Sequence, residues 1–67
     1  MISLLYAVNL AAAEFLAEIK KEACGDKAAY EAEVDGMIRY FHDTGDRLSE
    51  LIWKARRDEI WNNNQLS

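Results

Sequence analysis

Phe41-His42-Asp43-Thr44-Gly45-Asp46-Arg47-Leu48, residues 41–48, decides the fold of this 67-residue chain. The stretch reads in two ways. In the first, one helix runs through it. Tyr30, Val34, Met37, Phe41, Thr44, Leu48, Leu51 and Ala55 recur in steps of four and three, and the phase does not slip at Gly45. A glycine inside a helix costs about 1 kcal/mol, which so long a seam can absorb. In the second, Asp43 or Thr44 caps a third helix with Asp46 in its first turn. A turn normally resets the hydrophobic phase, so the spacing predicts one long helix over about 27–61. The alternative is a three-helix bundle broken near Gly45.

Toward the N-terminus the signals are less ambiguous. Leu5, Val8, Ala12, Phe15 and Ile19 are spaced 3, 4, 3 and 4, which predicts a first helix over about 3–23. Leu4, Ala11 and Leu16 widen its apolar stripe, and Glu14, Glu18 and Lys21 lie on its solvated face. Gly25 stops this helix, because glycine adopts the left-handed conformation that closes a C-terminus. Asp26 can cap the next one. Cys24-Gly25-Asp26 is therefore a tight turn between antiparallel helices. Beyond Trp61, Asn62-Asn63-Asn64 opens a polar tail over 62–67.

The chain is one all-α domain with no proline and a helix-forming composition. Its single cysteine, Cys24, excludes an internal disulfide and fits a reducing, cytoplasmic setting. Residues 1–13 carry no charge, but Glu14 and Glu18 end the run short of the roughly 20 residues a membrane span needs. No membrane partner is expected. Net charge is −4, concentrated in residues 1–36, where seven acids face three bases; residues 37–67 hold five of each. That balance argues against a general nucleic-acid binder, which needs a basic face.

A continuous second helix leaves a problem of cover. Numbers across the hairpin sum to about 51 from helix rise, so Leu5 faces Asp46 and Ile2 faces Ser49. Leu51 to Trp61 then overhang the first helix, exposing Ile52, Trp53, Ile60 and Trp61. Leu4, Tyr6 and Leu10 lie off the main seam of helix 1. A two-fold dimer, a four-helix arrangement, would cover both sets. The candidate dimer or partner interface is therefore Leu4, Tyr6, Leu10, Leu51, Ile52, Trp53, Arg56, Arg57, Ile60 and Trp61. Tryptophan and arginine are also the residues most enriched at protein–protein hot spots.

No catalytic, metal or cofactor site is expected. His42 and Asp46, four apart, could share a helical face, as could Asp43 with Asp46 and Glu50. One histidine without a pocket reads better as a polar face with a local cap. Cys24 has no second cysteine or histidine beside it. Arg47, Lys54, Arg56 and Arg57 interleave with Trp53 and Trp61, which could bind RNA or DNA, but Asp46, Glu50, Asp58 and Glu59 sit among them. A ligand or nucleotide sponge with a pocket between subunits is a further alternative.

Two families resemble parts of the chain. His42, Asp43, Asp46 and Leu48 resemble a stretch of the second helix of the plasmid copy-control Rop family, which implies a dimer of helical hairpins. That family reads RNA from its first helices, where this chain offers Leu10, Glu14 and Glu18; carboxylates repel RNA, so the architecture carries over and the activity does not. Glu14-Phe15, Lys21-Glu22-Ala23, Tyr40-Phe41, Leu48 and Arg56-Arg57 resemble the small phage-encoded quorum-sensing anti-activators. That resemblance implies a non-catalytic inhibitor that binds a host regulatory protein in the bacterial cytoplasm.

Overall fold

The computed structural model of the chain describes residues 3–63. All regular structure among them is helical, in three segments: α1 (Leu4–Ala23), α2 (Lys27–Thr44) and α3 (Arg47–Asn62). The predicted first helix and first turn are where the spacing places them. Ser3 caps α1 by accepting the Tyr6 N–H at 3.1 Å. Cys24 and Gly25 both take left-handed backbone, with φ of 53° and 87°. Asp26 then caps α2 by accepting the Ala29 N–H at 3.3 Å.

The long second helix is not formed. α2 ends at Thr44, and Gly45 is left-handed at φ 81° and ψ 13°. The Gly45 N–H reaches the His42 carbonyl at 3.2 Å, and the Asp46 N–H reaches the Phe41 carbonyl at 2.9 Å. This pair of bonds is a Schellman closure, which satisfies carbonyls that a helix end otherwise leaves open. Asp46 caps α3, accepting the Ser49 N–H at 3.1 Å, in place of Asp43 or Thr44. Thr44 instead bonds back to the Tyr40 and Phe41 carbonyls.

The phase does slip after all. The buried face of α3 is Ser49, Glu50, Ile52 and Trp53, with Ile60 and Trp61 packed beside the core. Leu51, the one large apolar side chain the continuous seam offered beyond Leu48, is 56% exposed. Thr44 and Ala55, which completed the seam, are exposed as well. Nothing overhangs. α3 folds back along both α1 and α2, and packs on each more extensively than they pack on one another. The predicted opposition of Leu5 and Asp46 assumed a second helix continuous through Gly45, which ends instead at Thr44, and Ile2 with Ser49 lies outside the described residues. So do residues 64–67 of the polar tail.

The core is Ala12 and Leu16 from α1, Tyr30, Val34 and Ile38 from α2, and Ile52 and Trp53 from α3. At the end of the molecule near the Cys24–Asp26 turn, contacts between α2 and α3 and between α1 and α3 tie it together. The Tyr30 and Trp61 rings lie 4.9 Å apart, and the Tyr30 hydroxyl donates to the Arg57 carbonyl at 2.8 Å. Burial pushes the Tyr30 phenol pKa up; Asp58 adds to this and Arg57 opposes it. Lys20 Nζ donates to the carbonyls of Ile60 (3.1 Å) and Asn63 (3.0 Å), placing a cation at the negative end of α3. Cα extents of 33 × 28 × 15 Å make the molecule a slab. Three helices 8–10 Å apart in so thin a body cannot all enclose one another, and the other end stays open.

Candidate functional site: an apolar groove between α1 and α2

Away from that first turn, α1 and α2 enclose a groove of about 400 Å³. Ala7, Val8, Ala11 and Phe15 form one wall, and Met37 and Phe41 form the other. Trp53 of α3, only 4% exposed, and Ser49 line it as well. Helical spacing puts the α1 wall in one strip, since 7, 11 and 15 are successive turns and 8 lies beside them. The aromatic rings hold one another in place. Phe15 stacks on Trp53 at 6.3 Å, Phe41 meets Trp53 edge-on at 5.3 Å, and Tyr40 meets Phe41 edge-on at 5.8 Å. Phe15 and Tyr40 are nevertheless mostly exposed.

A second cleft of about 510 Å³ lies on the other side of α1, against α3. It is lined by Ser3, Leu5, Tyr6, Asn9, Leu10, Ala13 and Arg56. Arg56 is held there, donating to Asn9 Oδ1 from Nε (3.2 Å) and Nη2 (3.1 Å) and pairing with Glu59. Leu4, at the start of α1, is 72% exposed. The N-terminal half of α1 thus shows large apolar side chains on several sides.

The ten interface residues expected from the sequence are not one surface. Leu4, Tyr6 and Leu10 are exposed on α1, and Arg56 joins Tyr6 and Leu10 in the second cleft. Ile52 and Trp53 are core, and Ile60 and Trp61 are partly buried against it. Leu51 is exposed on the outer side of α3. Arg57 pairs with Asp35 at 2.6 Å, across to α2. The groove itself went unread because Val8, Phe15, Met37 and Phe41 all lie on core seams. The spacing identifies a buried face correctly but not whether a neighbouring helix covers all of it.

The polar groups have local explanations. His42 Nδ1 lies 3.3 Å from Glu50, not against Asp46, which is spent as a cap. Glu50 also meets Lys54 at 3.3 Å. Shielding from water pushes the Glu50 carboxyl up, but its hydrogen bond and charge attraction to Lys54, followed by His42, outweigh this and leave the pKa below the ordinary glutamate value. Lys54, Arg56 and Arg57, three of the four bases that could have met a phosphate backbone, are each paired with a carboxylate. Cys24 is exposed at the turn. Among the described residues there is no group of three or more His, Cys, Asp or Glu side chains placed to hold a metal, and no helix long and apolar enough to cross a membrane.

Set beside known proteins, the chain matches no family model, no curated protein and no solved structure.

Proposed function

We propose that this chain is a non-catalytic protein-binding module that docks an apolar helix of a partner protein into the α1–α2 groove. The single observation that carries the reading is the groove itself: an open apolar trough with exposed Phe15 and Tyr40 beside it. Contiguous apolar surface of this kind marks interaction sites in small proteins. A trough between two helices suits the helix-in-groove mode, in which side chains at i, i+3/i+4 and i+7 anchor the guest. The resemblance to phage anti-activators makes a bacterial regulatory protein the natural guest and inhibition the outcome. Pairing of Lys54, Arg56 and Arg57 with carboxylates supports a protein partner over RNA or DNA.

The test is affinity capture with mass spectrometry, run with the unaltered chain and with Phe15→Lys. Phe15 is 62% exposed, so a lysine there leaves the fold intact but charges the groove wall. A partner held by the unaltered chain and lost by Phe15→Lys at unchanged helicity supports the reading. A partner held equally by both overturns it. Substituting Trp53 or Trp61 would not discriminate, because both contribute to the core.

A further inference from the structure

We infer that the groove's own occupant is a second copy of this chain, which lays its α1 antiparallel along α1 of the first. The inference rests on the groove's being a helix-docking surface and names what fills it when the protein is alone.

Residues 4–13 of α1 hold no charged side chain. A helix that is apolar all round is normally a buried helix. Within one chain only the side carrying Val8 and Ala12 is covered, while Leu4, Leu5, Tyr6 and Leu10 remain largely exposed. Leu4, Ala7, Ala11, Glu14 and Glu18 follow one another at spacings of 3, 4, 3 and 4, which is the pattern of an interhelical seam. Its apolar half borders the groove, through Ala7 and Ala11. Its acidic half does not.

Charge decides the direction. A parallel copy would set Glu14 against Glu14 and Glu18 against Glu18. An antiparallel copy with Ala7 opposite the second copy's Ala11 gives residue numbers that sum to about 18 across the pair, from helix rise. Glu14 then stands level with the second copy's Leu4, at the first turn of its α1, and Glu18 lies one turn beyond. That first turn has no acidic residue of its own. Carboxylates belong at the positive end of a helix dipole, and here the other copy provides them. Two-fold symmetry makes each such contact twice. Facing alanines allow the axes to approach to about 8 Å, and Leu4 with Phe15 closes the seam at both ends. An interface at the small end of the stable range buries about 600 Å² on each side, roughly one eighth of the 4937 Å² that each chain exposes. A target helix would compete with the second copy for the same groove.

Sedimentation equilibrium of the full chain tests this across a dilution series. The expected result is twice the 7.7 kDa chain mass at about 100 µM, falling on dilution. Ala7→Glu should give the single-chain mass with unchanged helicity, since Ala7 is exposed in one chain and a carboxylate near the start of α1 suits its own dipole. Glu14→Gln should raise the dimer dissociation constant about 3- to 30-fold, reflecting two helix-terminus contacts. In a Cys24→Ser background, a mixture of Ala7→Cys and Ala11→Cys chains should cross-link with each other in preference to themselves. A single-chain mass at all concentrations overturns the inference, and so does a dimer that survives Ala7→Glu. Self-cross-linking of Ala7→Cys chains, or an unchanged dissociation constant for Glu14→Gln, overturns the antiparallel arrangement. A monomer that still captures a partner through Phe15 removes the second copy and leaves the docking reading standing. A monomer that captures nothing through Phe15 removes both.

Discussion

The two ends of this molecule solve the same problem differently. At the end by Cys24–Asp26, the Tyr30 hydroxyl finds the Arg57 carbonyl, and Lys20 closes the last turn of α3. At the end carrying Leu4 and Phe15, the aromatic rings are arranged but not covered. One end is tied by bonds between side chains and helix carbonyls, and the other leaves its rings uncovered. A chain of this length buries too little to leave apolar surface open without consequence. The difference therefore separates residues that hold the fold from residues available to something else.

Trp53 is both a core residue and part of the groove lining, and gives the largest expected effect. Trp53→Ala should destabilise by about 3–5 kcal/mol, because it empties the point where α3 meets both other helices. Chemical denaturation would read this as a lower midpoint; an unchanged midpoint would mean that the indole is not part of the core. Tyr30→Phe tests the Cys24–Asp26 end alone. Losing the bond to the Arg57 carbonyl should cost about 1 kcal/mol and leave any binding through the groove unaltered. A larger effect on binding than on stability would mean that the two ends are coupled.

The second turn offers a comparison of its own, since Gly25-Asp26 and Gly45-Asp46 are the same dipeptide, although Cys24 is left-handed as well in the first turn and Gly45 alone is in the second. Each glycine is left-handed, and each aspartate caps the helix that follows. The first was legible because the apolar pattern of helix 1 stops there. The second was masked because Thr44, Leu48, Leu51 and Ala55 happen to continue the spacing of α2. Local chemistry outweighed a periodicity carried by weak positions. Asp46→Ala should cost about 1 kcal/mol, as loss of an N-cap usually does, and the melting temperature would show it. An unaltered melting temperature would mean that Gly45 alone sustains the break.

Much else was readable: the all-helical class, α1 with its ends, the first turn, and the start of α2. The separate α3 was legible only as the three-helix alternative, and with it the burial of Ile52, Trp53 and Trp61 within one chain. The groove was hidden for a related reason. Phe15, Met37 and Phe41 carry the spacing of core residues, and only the splay of α1 from α2 leaves them partly uncovered.

Smaller effects come from charge. The Glu50 carboxyl pKa is depressed in the fold, so its contribution to stability is present above the ordinary glutamate range and fades as pH falls through the folded value. Glu50→Gln should lower the melting temperature at neutral pH, and the gap should close in acid; a gap that persists below that range would contradict the assignment. A small stability effect, about 1 kcal/mol from the lost stacking on Trp53, is expected at Phe15→Lys. Its effect on binding should be the largest of all, which is the sharpest form of the contrast between the two ends.

The measurement that bears most directly on the open end is a dilution series of the ¹⁵N-labelled full chain followed by backbone amide shifts. Between about 10 µM and 1 mM, shifts should move on residues 4–15 of α1 and at Met37 and Phe41, while Lys20, Tyr30 and Trp61 stay still, because mass action fills only the surface that another copy covers. Shifts confined to the Tyr30–Trp61 end, or none on α1 over that range, would contradict the account.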